Sequence, residues 1–254
     1  MKPSTTFRKY LIRALAILFW LGVWQIASMV IGQEILLVSP VRAAKTLIEM
    51  AATAAFWQSV FSSFGRILLG FALATALGLG LAVLAGMSRA ARALFEPLMH
   101  AVKATPVASF VILALIFIRS TYLSVFISFL MVLPIMYTNI LAGVDAADPK
   151  LLEMAKVFRV GPLRRAGSVY LAAVYPHFLA ACALALGMCW KAGVAAEVIG
   201  LPRRSIGEAL YQAKLFFNTP ELYAWTLAVI LLSVGFEKLI LAATRRLGRS
   251  FGGE

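Results

Sequence analysis

The sequence predicts an all-α polytopic membrane protein with about six transmembrane helices, and two observations carry this prediction. The 254 residues are 62% hydrophobic and only 14% charged, and the mean hydropathy is +0.89, far from the mix of a soluble globular domain. Apolar runs also recur along the chain, and most reach the roughly 20 residues that a helix needs to cross the hydrocarbon core. They fall at about 14–31, 64–86, 106–118, 121–142, 169–190 and 222–242.

The first run follows basic residues, as a secretory signal would, but it is long and no clear small-x-small cleavage site precedes Gly32. We therefore expect a retained span. Beyond it, Ser39-Pro40 predicts the start of a helix that runs to about Ala54. This helix has an apolar side and a charged side, so we expect it to lie flat on the outer membrane surface.

The second and fifth spans carry small residues at every fourth position, a spacing that lets helices in lipid approach closely. These candidate packing residues are Gly70, Ala74, Gly78, Ala82 and Gly86 in span two and Ala181, Ala185 and Cys189 in span five. Two interpretations stay open at this point. The ladders are either static contacts or seams along which helices slide during a conformational cycle.

The third run is too short to span a membrane alone. Pro106–Ile118 must be extended by the preceding Leu98–Thr105, which contains His100 and Lys103. The alternative is a re-entrant segment that enters and leaves on one side.

The loop 148–168 is the longest polar interruption between predicted spans. Asp148-Pro149 predicts an N-cap and first helical position, and Gly161-Pro162 predicts the end of that helix and the start of a second. We expect a helix-turn-helix at the membrane surface. The polar residues available to a partner are Glu153, Lys156, Arg159, Arg164 and Arg165, while Leu151, Leu152, Ala155 and Phe158 are expected to pack inward.

Near the end of the fifth span, Trp190, Lys191 and Glu197 are candidates for a solute pathway, because ionisable residues inside a membrane are costly and mark functional sites. The alternative is that both charges are interfacial and that Lys191 extends towards water. After this span, Gly200–Asn218 contains Ile206, Leu210, Ala213 and Phe217 at helical spacing, and Thr219-Pro220-Glu221 predicts the start of the last span.

The net charge of +13 predicts orientation rather than nucleic-acid binding, because the basic residues are sorted by loop. Sixteen of the 24 lysines and arginines flank alternate ends of the spans, at Lys2, Arg8, Lys9, Arg13, Arg89, Arg92, Lys103, Lys150, Lys156, Arg159, Arg164, Arg165, Lys238, Arg245, Arg246 and Arg249. The positive-inside rule then places both termini and the 148–168 loop in the cytoplasm.

No enzyme signature is present in the sequence. It contains no GxxxxGK[ST] phosphate loop, HExxH or GxSxG motif, and its few acidic residues do not cluster as paired carboxylates or metal ligands. We therefore expect no catalytic, cofactor-binding or metal-binding residues. Energy for active transport would have to come from another subunit.

The 148–168 loop resembles the EAA signature of permease subunits of ATP-binding-cassette (ABC) importers. Glu153, Ala155 and Leu171 match the pattern, whereas Arg159 occupies the glycine position, with Gly161 two residues later, and Ala172 occupies the proline position. Other landmarks of the nitrate, sulfonate, taurine and bicarbonate permease group are similar, namely SPVRAAKTLIE, SSFGRILLGF, EPLMHAVKATPVA and WKAGVAAEVIG.

The resemblance implies a single permease domain over 1–254, with a core at about 58–243 and the MetI-like fold of type I ABC importers. It also implies a bacterial inner-membrane location, a permease homodimer, an external solute-binding protein and a separate ATPase that uses ATP and Mg²⁺. The residues that would couple to this ATPase are Leu152, Glu153, Ala155, Lys156, Phe158, Arg159, Gly161, Arg164 and Arg165.

The resemblance implies a small anion such as a sulfonate, nitrate or bicarbonate as the substrate, with a pyrimidine precursor or another small organic solute as the alternative. Two alternatives from other classes are an ATP-independent carrier or channel and a membrane scaffold that uses the 148–168 loop for docking. Inverted repeats and several mid-span charges would favour a carrier, and the sequence displays neither.

Overall fold

The structure, a computed structural model, describes residues 5–251, and this range is helical along nearly its whole length. Lys2, on which part of the predicted orientation depends, lies outside it. The helices are α1 (Thr5–Ile31), α2 (Pro40–Ala51), α3 (Ala54–Met87), α4 (Arg89–Ala104), α5 (Val107–Phe117), α6 (Ser120–Asp145), α7 (Pro149–Val157), α8 (Pro162–Arg165), α9 (Leu171–Gly200), α10 (Ile206–Leu215) and α11 (Thr219–Phe251), with a π-helical turn at Ala166–Tyr170. The predicted all-α class is confirmed.

Within the described residues, five helical segments are long and apolar enough to cross a membrane, at Ala14–Ile31, Ala54–Met87, Ser120–Asp145, Ala166–Gly200 and Thr219–Ala242. They contain the first, second, fourth, fifth and sixth predicted spans. The second begins ten residues before its apolar run, at Ala54, and the fifth continues ten residues beyond its run, to Gly200. A sixth crossing exists if α4 and α5 together count as one span.

The predicted third span is not one straight helix. The axes of α4 and α5 are bent by 103° relative to each other, and the break lies at Thr105 and Pro106. Thr105 has φ −81° and ψ 129°, the extended conformation that a following proline imposes by steric clash with its ring. The extension through Leu98–Thr105 is therefore present in sequence, but Pro106 redirects the chain.

The Cα positions cluster into two compact units. In the unit formed by Ser59–Glu208 and the described residues from Leu231 onwards, α6 is the central helix. It buries thirteen of its residues and packs most extensively against α9, with further contacts to α4 and α5. A buried apolar cluster that includes Val111, Leu123, Ile127 and Ala196 joins α5, α6 and α9.

The other unit contains the described residues up to Gln58 together with Ala209–Ile230. In it, the Trp24 indole donates to the Val38 carbonyl over 2.9 Å. The Thr219 hydroxyl donates to the Ile35 carbonyl over 3.0 Å. The Phe56 and Trp225 rings stack with centroids 4.8 Å apart. The division of the chain into two units follows Cα proximity, and the single permease domain stays a prediction.

The predicted starts of α2 and α11 are both confirmed. The Ser39 hydroxyl accepts from the Arg42 amide at the start of α2, and this helix ends at Ala51 rather than near Ala54. α11 begins at Thr219, as predicted, and Asn218 caps it: the Asn218 Oδ1 accepts from the Glu221 amide over 3.4 Å, and its Nδ2 donates to the Glu221 carboxylate over 2.7 Å.

Candidate functional site

The start of α7 agrees with the sequence prediction. Asp148 has an extended backbone, its Oδ1 accepts from the Lys150 amide over 2.8 Å, and Pro149 is the first helical residue. An N-cap of this kind satisfies an amide that the first helical turn leaves without a carbonyl partner. The starting point of this nine-residue helix is therefore set by its own sequence.

The end of α7 lies earlier than the Gly161-Pro162 pair predicts. The helix ends at Val157, and Arg159 adopts the left-handed conformation with φ 49°. The Val160 amide donates to the Ala155 carbonyl over 2.8 Å and the Arg159 amide to the Lys156 carbonyl over 3.0 Å. This is the Schellman arrangement, which usually places glycine where Arg159 stands.

Arg159 is also the residue that occupies the glycine position of the EAA pattern. The backbone here takes the conformation that glycine adopts without penalty, although the side chain present is arginine. Gly161 does not take over this role. Among the described glycines, positive φ occurs at Gly32 and not at Gly161. Arg159 therefore adopts, with a side chain present, a conformation that usually favours glycine.

The second half of the 148–168 loop corrects the predicted helix-turn-helix. Pro162 does start a helix, but α8 passes through the π-helical turn Ala166–Tyr170 directly into α9. The Leu171 amide donates to the Ala166 carbonyl, which keeps the backbone bonded across the change of pitch. The second helix is therefore the first turns of the fifth span rather than a separate surface helix.

The exposure of α7 side chains corrects the expected inward-facing set. Ala155 is buried at 5% exposure and Leu152 is half-buried, whereas Leu151 and Phe158 are exposed at 43% and 74%. Phe158 lies past the last helical residue, so the helical spacing that places it beside Ala155 no longer applies. α7 thus contacts the rest of the chain on a narrow stripe.

The remaining residues predicted to couple to a partner lie mostly at the surface. Arg165 is half-buried, and the exposed residues are Glu153, Lys156, Arg159, Gly161 and Arg164. Exposed apolar side chains stand between them, at Met154, Val157 and Phe158. The loop therefore presents a surface of mixed charge and apolar character with Phe158 at its end.

The three candidate pathway residues are not brought together. The Trp190 ring is fully buried and lies near the Phe64 and Phe236 rings, with centroids 6.4 and 6.1 Å away. Lys191 is exposed. Glu197 is fully buried and lies in a polar cluster of its own.

This Glu197 cluster consists of Glu197, Ser63, Arg66 and the backbone amides of Ile206 and Gly207. The Ser63 hydroxyl donates to one Glu197 carboxylate oxygen over 2.6 Å, and the Arg66 guanidinium donates to the other over 3.3 Å. The Gly207 amide donates to the carboxylate over 3.4 Å. Glu197 therefore has both a counter-charge and hydrogen-bond donors, as a buried carboxylate requires.

The same groups hold the turn between α9 and α10. The Ser63 hydroxyl accepts from the Ile206 amide over 2.9 Å, and Arg66 donates to the Arg203 carbonyl over 3.2 Å. A Cβ built on Gly207 would collide with the Glu197 backbone and side chain. No spacing in the sequence links Ser63, Arg66 or Gly207 to Glu197, so the sequence alone does not predict this cluster.

The small-residue ladder of α3 lies against α6. A Cβ built on Gly70 would lie 2.9 Å from the Ser128 Cβ, one on Gly78 would lie 2.8 Å from the Met136 Cβ, and one on Gly86 would lie 2.7 Å from a Val144 methyl. Ala74 and Ala82, between these glycines, have no exposed surface. The two backbones approach so closely that only a hydrogen atom fits at the glycines.

The corresponding residues of α9 are equally enclosed. Ala181, Ala185 and Cys189 have no exposed surface, and the Cys189 carbonyl accepts from the Ser128 hydroxyl over 3.2 Å. One turn further on, a Cβ built on Gly193 would lie 2.6 Å from Ile67 Cγ1. The ladders of α3 and α9 therefore meet the same central helix, α6.

Comparison with known proteins agrees with this architecture. The family of binding-protein-dependent transport system inner membrane components matches residues 74–252. A probable ABC transporter permease protein of Brucella melitensis is 28% identical over 74% of this chain and 76% of its own. The putative aliphatic sulfonates transport permease protein of Bacillus subtilis is 26% identical over 80% of this chain and 74% of its own.

The taurine transport system permease protein of Escherichia coli is 23% identical over 88% of this chain and 83% of its own. The family match contains α6, α7, α9 and the α3 ladder from Ala74 onwards. Taken with the apolar spans and the central helix that both ladders contact, these similarities show that the chain belongs to the binding-protein-dependent transport system inner membrane components, the membrane-spanning permeases of ABC importers.

Proposed function

We propose that this chain forms the solute pathway of an ATP-driven importer and that α7 transmits the movement of a separate ATPase to it. The observation that carries the proposal is the geometry of α7. This helix is capped at both ends by its own sequence, it exposes Glu153, Lys156 and Phe158, and it connects α6 to the segment that becomes α9.

The position of α7 supports a coupling role. α6 and α9 form the most extensive helix pair of their unit, so a force on α7 acts on both partners at once. Buried Ala155 seats α7 on the chain, while exposed Phe158 and the charges remain for another protein. Alternating access would follow from rigid movement of the helices that α7 connects.

The proposed assembly contains two copies of this chain, two ATPase subunits and an external solute-binding protein. The chain itself would bind neither ATP nor Mg²⁺. We further propose a small anion, such as a sulfonate or bicarbonate, as the solute. Two relatives are named for aliphatic sulfonates and for taurine, and both of these solutes carry an anionic sulfonate group.

The test is copurification of the cognate ATPase with variants of α7. We expect Glu153→Lys to reduce ATPase recovery at least about tenfold, because a like charge placed in a complementary interface costs several kcal/mol. We expect Phe158→Ala to reduce it as well, since exposed aromatic anchors contribute strongly to interfaces. Recovery is measured by affinity purification from detergent-solubilised membranes.

The matched control is Glu49→Lys, which reverses an exposed carboxylate on α2 that is weakly paired with Lys45 at 4.0 Å. It should leave ATPase recovery and membrane insertion unchanged. Normal ATPase recovery with both α7 variants, at normal membrane yield, would overturn the coupling role. Ala155 is unsuitable as a first probe, because it is buried and a larger residue would unseat α7 itself.

A further inference from the structure

An apolar groove of about 570 Å³ lies beside the beginning of α9. Its walls are formed by the last turns of α3 and α6 and by the π-helical turn that leads into α9. Leu79 and Val83 contribute from α3, and Ile140 and Val144 from α6. Arg165 is the charged residue among those that line the groove.

Arg165 differs from its neighbour Arg164. Arg164 is exposed, whereas Arg165 is half-buried at the groove wall. Within the part of the chain whose side chains the structure describes, the Arg165 guanidinium has no ion pair or hydrogen bond to a protein group. A half-buried arginine with five donors beside an apolar wall is suited to bind an anionic oxygen ligand.

We propose that this groove binds one anionic phospholipid, with its phosphate on Arg165 and an acyl chain along α3 and α6. Charge complementarity selects the headgroup, and basic sites between transmembrane helices recognise such headgroups. The groove lies at the ends of the spans, next to the 148–168 loop. The basic residues Lys150, Lys156 and Arg164 of this loop also attract anionic lipid headgroups.

The chemistry of the walls favours a lipid over a protein segment. Apart from Arg165 and Tyr170, the lining side chains are apolar. A peptide laid in the groove in extended form would leave its amides and carbonyls without partners, at a cost of several kcal/mol per group in a membrane setting. An acyl chain has no such groups.

The groove uses Arg165, which the resemblance also assigns to ATPase contact, but it contains neither Glu153 nor Phe158, the residues that the coupling test changes. A lipid there would be a second influence on the same loop. Arg165 directly precedes the π-helical turn, and the Ser168 hydroxyl donates to the Arg164 carbonyl over 2.8 Å within this junction. A lipid held by Arg165 would fix the junction between the 148–168 loop and α9.

The experiment uses the full chain purified in a zwitterionic detergent without any ATPase, so its result is independent of the coupling proposal. Phosphatidylglycerol and phosphatidylcholine with identical acyl chains are titrated and bound lipid is counted by native mass spectrometry. We expect preferential retention of phosphatidylglycerol, and about fivefold weaker retention in Arg165→Gln, since one basic residue near the surface contributes about that factor. Arg165→Lys should retain most of the preference.

Two further variants and one competitor separate the alternatives. Arg164→Gln should leave the preference unchanged, and Val83→Trp should displace the lipid by filling the groove from an exposed position. Glycerol phosphate, which carries the headgroup without acyl chains, should compete poorly. Equal retention of both lipids, equal effects of Arg164→Gln and Arg165→Gln, strong competition by glycerol phosphate, or a change in oligomeric state as the sole effect of Val83→Trp would each overturn the proposal.

Discussion

At the scale of single residues, Glu197 is the charged residue that is fully buried among the side chains that the structure describes. Its carboxylate has no exposed surface, and Arg66, whose side chain is 15% exposed, supplies the counter-charge at 3.3 Å. Ser63 and the Gly207 amide supply further hydrogen bonds. A buried ion pair of this kind adds little net stability over apolar packing, but removal of one partner leaves an uncompensated charge.

We predict that Arg66→Ala destabilises the protein by about 3 kcal/mol or more, because the Glu197 charge then stays buried without its partner. Arg203→Ala is the matched control: the Arg203 side chain is exposed, and only its carbonyl, which the substitution keeps, accepts from Arg66. The measurement is the thermal unfolding midpoint of the detergent-solubilised protein.

The double variant Arg66→Ala with Glu197→Ala should recover part of the loss, since it removes both charges together. Equal midpoints for Arg66→Ala and Arg203→Ala would show that the pair carries no such energy. If the double variant loses more stability than the two single variants lose together, packing rather than charge explains the effect of Arg66→Ala.

Residue identities predicted the local features of this site better than the distant ones. The start of α7 could be predicted from Asp148 and Pro149, because both act within two residues of their position. At Arg159 the sequence indicates only a mismatch to glycine. Its positive φ of 49° comes from the Schellman hydrogen bonds that end α7. The pairing of Ser63 with Glu197 spans 134 residues, and no local pattern encodes it.

At the scale of helices, the seam between α3 and α6 is set by matched spacing. Gly70, Gly78 and Gly86 recur every eight residues, and their contacts Ser128, Met136 and Val144 recur with the same period. The small-residue ladder predicted that α3 packs closely against a helix. It did not identify α6 as the partner, because α6 presents ordinary side chains whose spacing is visible only in the assembled pair.

We predict that Gly78→Ala destabilises the protein by about 1–3 kcal/mol, since overpacking forces the two helices apart. The added Cβ would lie 2.8 Å from the Met136 Cβ and 3.3 Å from the Tyr137 amide nitrogen. Gly80→Ala is the matched control, because a Cβ there meets nothing within 4 Å. It should be neutral or raise stability slightly, as alanine favours helix over glycine.

Transport assays on the same two variants distinguish a static contact from a sliding seam. In a static seam, Gly78→Ala lowers transport only as far as it lowers the amount of folded protein. In a sliding seam, it stops transport while folded protein persists. A Gly78→Ala variant as stable and as active as Gly80→Ala would contradict both forms of the seam.

At the scale of the whole chain, the direction of α3 and α6 bears on the bent pair between them. The contacts Gly70 with Ser128 and Gly86 with Val144 advance together along both helices, so α3 and α6 run parallel. Two parallel spans require the chain to return across the membrane between them. The parallel arrangement therefore predicts that the pair α4 and α5 forms one broken span and that the chain crosses the membrane six times.

The apolar runs predicted the spans, because the length and hydropathy of each segment are properties of that segment alone. They could not predict the 103° bend, which depends on where α5 packs. Val111 and Ala114 on α5 are buried in the cluster with Leu123 and Ile127 of α6. That packing holds α5 in its direction after Pro106, and it exists only once α6 is in place.

Six crossings predict which loops share a side, and cysteine labelling in intact cells measures it. Arg89→Cys and Lys156→Cys should react with a membrane-impermeant maleimide only after permeabilisation, whereas Gln33→Cys and Arg119→Cys should react in intact cells. All four positions are exposed in the chain, and native Cys182 and Cys189 are buried, at 1% and 0% exposure.

Labelling of Arg119→Cys distinguishes a broken span from a re-entrant pair, because a re-entrant α4–α5 pair would place Arg119 on the side of Arg89. Protection of Arg119→Cys together with Arg89→Cys, or labelling of Lys156→Cys in intact cells, would contradict the six-span topology and with it a cytoplasmic α7.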